Sequence, residues 1–146
     1  MRVSAQFDLP ASPEHVYAAL TDAAILQRCI PGCESLTPTG EAQFDARVKV
    51  GIAALNAVYT GRAELRDRQP PHAFTLAVDG KSAAGFVRVS AAIRLAPADA
   101  ATRLECDADA QVGGPMAAVG SRLIEAVARQ QMGEFFRRLE QELRSA

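Results

Sequence analysis

The chain has 146 residues, with 16 Lys and Arg against 17 Asp and Glu, a formal net charge of −1 and 49% hydrophobic side chains. That length suits one domain able to bury about two-thirds of its unfolded surface, and the balanced charge, with no basic block, excludes an electrostatic footprint for nucleic acid. No run of about 18 apolar residues occurs, and no cationic start before an apolar core, so the expectation is a chain that neither spans a membrane nor carries a secretory signal.

The elements follow from two periods. Arg2 to Leu9 alternates, with Val3, Ala5, Phe7 and Leu9 on one side, which predicts a half-buried strand. Ser12 is placed as an N-cap with Pro13 at the first helical position, and the short helix through Leu20 buries Val16, Tyr17 and Leu20. Asp22 caps a second short helix through Cys29, stopped by Pro31-Gly32. Cys33 to Thr37 predicts a brief strand closed by the turn Thr37-Pro38-Thr39-Gly40, and Phe44 to Val50 alternates cleanly. Ile52 to Leu65 is expected to continue as one strand, with Gly61 at a bulge or bend. Asp67-Arg68-Gln69-Pro70-Pro71 reads as a loop. Three strands follow, marked by Phe74 to Val78, Phe86 to Leu95 and Leu104 to Val112.

After Val112-Gly113-Gly114-Pro115 the period changes to three and four. Met116, Val119, Leu123, Ile124, Val127, Met132, Phe135, Phe136, Leu139 and Leu143 form one stripe of a single long helix. At about 30 residues it is expected to be roughly 45 Å long. Its polar face mixes signs, and a basic membrane-surface helix does not dilute itself this way. Arg138 and Glu142, four apart, are expected to pair weakly. Strands with one polar face make an antiparallel sheet with one side in water, and the apolar side is the natural receiver for the helix. The predicted class is therefore α+β: about seven curved antiparallel strands around a long C-terminal helix, with two short helices after the first strand.

This order resembles the helix-grip fold of the START-like (SRPBCC) superfamily. More narrowly, the chain resembles the G-subunit family of carbon monoxide dehydrogenase. The resemblance is carried by Ile30-Pro31-Gly32-Cys33, Val48-Lys49-Val50-Gly51 and Tyr59-Thr60-Gly61-Arg62. Asp67-Arg68-Gln69-Pro70-Pro71, Gly113-Gly114-Pro115 leading into Gly120-Ser121-Arg122-Leu123-Ile124, and Phe135-Phe136 complete it. It implies that residues 1–146 form a single ligand-binding domain holding a hydrophobic small molecule, lipid or quinone-like, between sheet and helix. It also implies an accessory role beside a molybdenum hydroxylase of the carbon monoxide dehydrogenase type or its assembly factors. Members that tether the enzyme to the membrane continue past this domain with a linker and an anchor, whereas this sequence stops at Ala146. The expectation is thus a cytoplasmic protein with at most peripheral membrane contact.

Small inward residues (Ala57, Gly61, Ala63, Ala108, Ala110) opposite a broad helix point to space for a guest. The cavity lining is expected from Tyr59, Phe74, Phe86, Val89, Leu104, Met116, Leu123 and Phe135, with Phe44 among the large inward residues. Ser90 and Asn56 are the candidate polar anchors, although alternation turns both outward. Ile30, Pro31, Gly32 and Cys33 are the candidate gate or docking loop, the competing reading being a plain helix stop.

Chemistry is harder to place. Cys29, Cys33, Cys106, His15 and His72 are too scattered to close on a structural zinc ion, so no metal is expected. No nucleophile stands beside a base, and Gly114 and Gly120 lack the spacing and lysine of a phosphate loop. No catalytic residue and no cofactor is expected. Two other readings remain open: an interaction or maturation module without ligand, and a cyclase-like enzyme on the same fold. Three cysteines, an odd number, suit a reducing compartment.

Overall fold

The computed structural model describes residues 1–52 and 55–145. The order is β1 (Arg2–Leu9), α1 (Pro13–Leu20), α2 (Ala23–Cys29), β2 (Cys33–Gly40), β3 (Gln43–Val50), β4 (Ala57–Gln69), β5 (Ala73–Ser82), β6 (Gly85–Ala98), β7 (Ala101–Gly113), a 3-10 turn (Pro115–Val119) and α3 (Ser121–Ser145). The seven strands form one antiparallel sheet in the order β1-β7-β6-β5-β4-β3-β2. Every hairpin joins neighbours, and only β1 reaches across to β7, because α1 and α2 intervene before β2.

Local chemistry accounts for the elements. Ser12 Oγ accepts from the His15 N–H at 3.3 Å with Pro13 opening α1, and Asp22 Oδ1 accepts from the Ala24 and Ile25 N–H groups at 2.9 and 3.1 Å to open α2. β2 runs on through Thr37-Pro38-Thr39-Gly40, where a turn was expected. It is an edge strand with register shifts at both ends, the one place in a sheet that tolerates a proline. β4 likewise extends to Gln69 through the expected loop, accommodating Asp67 at φ +52 with a register shift, before a cis Pro70-Pro71 bond. β5 runs over Asp79-Gly80-Lys81 to Ser82, and Asp99 at φ +57 turns the tight β6–β7 connection. The strand expected over Ile52 to Leu65 begins only at Ala57; positions 53 and 54 lie outside the described residues.

The long C-terminal helix is shorter than its apolar stripe. Gly120 takes φ +95, a left-handed setting that separates the 3-10 turn from α3. Met116 and Val119 therefore belong to the turn, and the 25 residues of α3 span roughly 37 Å. α3 lies nearest to α2, β1 and α1, toward the β1 edge of the sheet. Phe7 of β1 stacks on Phe136 at 4.1 Å between ring centroids, and Phe135 meets Phe136 edge-on.

The apolar interior divides in two. A large cluster joins Leu9, Val16, Tyr17, Leu20, Cys29, Ile93, Leu95 and Leu104 to Phe136, Leu139 and Leu143. A smaller one, at the end where α3 begins, joins Leu55, Met116 and Val127, with Tyr59, Val112 and Leu123 around them. One polar group in the large cluster is unsatisfied: the hydroxyl of Tyr17, edge-on to Phe74, has no hydrogen-bond partner among the described residues, and burial raises its pKa.

Candidate functional site: an apolar cleft between sheet and helix

Between the two clusters the inner face of the sheet is only partly covered. Register places Phe44, Ala63, Val78, Val89 and Ala110 side by side across β3 to β7. Phe44 is buried, but the other four, in the middle of a seven-stranded sheet, stay half-buried. Val78 and Ala110 join neither cluster. The next row, Ala46, Gly61, Gly80, Val87 and Val112, has two glycines side by side at its centre. A Cβ built on Gly61 would lie 2.2 Å from the Asp79 carbonyl oxygen and 2.8 Å from Gly80 Cα, so β4 and β5 approach there as only glycine permits. The two strands thus run unusually close at this point of the inner face. Native interiors are close-packed, so this half-buried apolar row is the candidate surface for a guest between sheet and helix.

The expected lining residues divide accordingly. Tyr59, Val89, Leu123 and Phe135 are half-buried on the inner side, and the Tyr59 hydroxyl donates to the Leu55 carbonyl at 2.9 Å, which ties the loop after β3 to β4. Phe74 and Met116 are buried, in the large and the small cluster respectively. Leu104 is fully buried in the large cluster and offers no surface to a guest. Phe86 is a correction. It shares its side of β6 with Arg88 and Ser90, its ring covers Gly113, and it is 38% exposed on the outer face with the Arg88 guanidinium 5.5 Å over it. Ser90 and Asn56, the expected anchors, are exposed.

One inward polar residue escaped the sequence reading. Gln131 lies in the i, i+4 row Leu123, Val127, Gln131, Phe135 of α3 and is half-buried with them. The same spacing that identified the stripe would have found it, had polar residues been included.

The Ile30-Pro31-Gly32-Cys33 loop is pinned rather than loose. Gly32 takes φ +74, its carbonyl accepts from the Lys49 N–H at 2.9 Å, and a Cβ there would collide with the Lys49 carbonyl. Burial raises the pKa of Cys33, as it does for Cys29 and Cys106, so all three free thiols are poor thiolates at neutral pH. The ion pairs of α3 also differ from expectation. Glu134 holds Arg137 and Arg138, leaving Glu142 to bind Arg28 of α2 at 2.6 Å.

Curved antiparallel sheet, long C-terminal helix and two short helices after β1 together define a START-like helix-grip protein. A START superfamily protein from Mycobacterium smegmatis superimposes with a TM-score of 0.81 at 14% identity, covering 99% of this chain and 97% of that one. The model of the carbon monoxide dehydrogenase G-subunit (CoxG) family matches residues 5–144, and the chain belongs to that family. A conserved protein from Geobacillus kaustophilus is similar at 34% identity, with a TM-score of 0.96 over 99% of this chain and 96% of that one. No curated protein matches the chain in sequence.

Proposed function

We propose that this chain acts as one domain that binds a hydrophobic small molecule, lipid or quinone-like, in the cleft between sheet and α3. It does so as a non-enzymatic accessory to a molybdenum hydroxylase of the carbon monoxide dehydrogenase type. The observation that carries the reading is the half-buried inner-face row Ala63, Val78, Val89 and Ala110, of which Ala63 and Val89 border the large cluster and Val78 and Ala110 join neither. Family membership supplies the coarse frame, a ligand-binding accessory protein; the hydrophobic guest and the molybdenum enzyme are our extension of it. The strand positions on the inner face carry no charged or imidazole side chain, which favours binding by shape and desolvation over acid–base chemistry.

We place the protein in the cytoplasm, where three free cysteines stay reduced. Among the described residues no helix is long and apolar enough to cross a membrane. We assign peripheral membrane contact to the end of the sheet carrying the β3–β4, β5–β6 and β7–α3 connections. Segments 46–61, 80–93 and 110–124 there contain Arg47, Lys49, Lys81, Arg88 and Arg122; Arg47 pairs with Glu34 and Arg88 with Asp79, which leaves Lys49, Lys81 and Arg122 as the cations without an ion-pair partner among the described residues. Exposed Phe86, Pro115, Ala117 and Ala118 lie among these cations, a pattern suited to an anionic lipid surface. The pinned Ile30–Cys33 loop, at the same end, is our candidate docking surface for the enzyme.

Thermal unfolding in the presence of a short-tailed quinone or a long-chain fatty acid tests the binding reading. A rise that grows with ligand concentration is expected; no shift with either ligand would contradict it.

A further inference from the structure

We propose that a recess at the C-terminal end of α1 binds a small carboxylate, with Arg68 supplying the charge and the Tyr17 hydroxyl a hydrogen bond. The recess has a volume of about 470 Å³ and is lined by Tyr17, Thr21, Arg68 and Pro70. It lies between α1 and the β4–β5 connection and shares no residue with the inner-face row Ala63, Val78, Val89 and Ala110. Its occupancy is therefore separate from that of the cleft.

A bulge brings Arg68 to this side of the sheet. Alternation from buried Leu65 would turn Arg68 outward with Arg66. Instead three steps along β4, from Arg66 to Gln69, face two along β5, from Thr75 to Ala73, and Asp67 takes φ +52 within the irregularity. A bulge of this kind re-aims a side chain, and Arg68 joins Tyr17 of α1 in lining the recess.

Tyr17 is the group that points to a ligand. It is only 7% exposed, and its hydroxyl has no hydrogen-bond partner among the described residues. An unpaired buried hydroxyl is costly, and phenylalanine would fill the same place without that cost. Burial raises the Tyr17 pKa and the Arg68 charge opposes the rise, so the hydroxyl keeps its proton at neutral pH and lies within the field of the guanidinium. Arg68 itself is weakly engaged. Its ion-pair partner among the described residues is Glu41, at 3.5 Å, and the Glu41 side chain is 89% exposed. So open a pair contributes little, and Arg68 can exchange Glu41 for another carboxylate. The hydroxyl is shielded from solvent in the present arrangement; the guest reaches it as the long Arg68 side chain swings with the incoming charge.

Charge and shape set the class of guest. Arg68 is the one cation lining the recess, and the Thr21 hydroxyl already donates to the Tyr17 and Ala18 carbonyls. The planar guanidinium fork fits a carboxylate with two parallel bonds. A phosphate dianion would bring surplus negative charge beside Glu41 and the C-terminal end of α1.

NMR titration of the intact chain at pH 7.5 with benzoate, benzamide and inorganic phosphate tests the site through the backbone amides of residues 17–21, 41 and 66–69. Benzoate is expected to shift them saturably, with benzamide and phosphate weaker by about fivefold or more. Arg68→Gln is expected to remove saturable benzoate binding, and Tyr17→Phe to weaken it about tenfold, the loss of a hydrogen bond to a charged group. Glu41→Gln should tighten it by about two- to fivefold, because the competing carboxylate is gone. A merely structural role for Tyr17 and Arg68 would leave Glu41→Gln without effect on affinity and would overturn the proposal. So would equal binding of benzoate and benzamide, tightest binding of phosphate, a Tyr17→Phe variant that binds as the native chain does, or no saturable shift with benzoate. Shifts centred on Ala63, Val78 and Val89 would place the probe in the cleft and equally overturn it. Thermal midpoints of the three variants, expected within a few degrees of the native value, show that they fold, and the comparison of benzoate with benzamide needs no variant at all.

Discussion

Replacing Gly61 by alanine is the sharpest probe of how closely β4 and β5 approach. The added methyl would stand 2.2 Å from the Asp79 carbonyl oxygen and 2.9 Å from its carbonyl carbon, against an ordinary contact of 3.4–4 Å. Both atoms are backbone of the neighbouring strand, so no rotamer change relieves the overlap and β4 and β5 must part. Overpacking of this kind costs about 1–3 kcal/mol. For a chain of this size that lowers the thermal midpoint by roughly 3 to 10 °C. Gly133→Ala is the matched control. Gly133 is exposed in the interior of α3 with nothing within 4 Å of the added methyl, so the same change should stabilise by about 0.5–1 kcal/mol. Urea and thermal unfolding of both variants give the comparison. A Gly61→Ala variant as stable as the native chain would mean that the strands do not approach as described.

Other outcomes follow from single groups. Tyr17→Phe removes a buried hydroxyl without a partner among the described residues and keeps the edge-on ring beside Phe74; unfolding in urea should show stability unchanged or raised by about 1 kcal/mol. Glu134, held by Arg137 and Arg138, has its pKa lowered from 4.5 to about 2. A folded-state value below the unfolded one favours folding fully above the unfolded value, and this contribution fades as pH falls from about 4.5 to about 2. Carboxyl titration by NMR should therefore place its midpoint near 2, rising with added salt. Native alkylation at pH 7 should label half-buried Cys33 slowly and spare Cys29 and Cys106 until the protein unfolds. Lys49→Glu with Lys81→Glu should abolish sedimentation with anionic vesicles while leaving the thermal midpoint within a few degrees, since both side chains are exposed and lack ion-pair partners among the described residues. Unchanged sedimentation would remove the membrane assignment.

Much of the fold was legible because the sheet has one wet face. Alternation from Val3 to Leu9 or from Val87 to Leu95 needs no tertiary knowledge, and the cap residues Ser12 and Asp22 act within one helical turn. Strand ends were misread where residues usually found in turns sit in strands: Pro38 on an edge, Gly80 beside Gly61. Gly120 broke the helix because a left-handed residue overrides a continuing apolar stripe. A phenyl ring suggests an inward place for Phe86, whereas its parity with Arg88 turns it outward. The two-part core was beyond reach of pattern alone, since it depends on α3 leaning toward β1 and α2. Which inner-face residues stay accessible follows only from that lean.

The most direct test of the central claim is native mass spectrometry of the gently purified chain beside an Ala110→Phe variant. Ala110 is half-buried on the inner face between the two clusters, and a phenyl ring there fills the cleft. A small-molecule adduct on the native chain, absent from the folded variant, is the predicted result. A native chain without adduct that takes up neither quinone nor fatty-chain probes, or an adduct retained equally by both proteins, would contradict it.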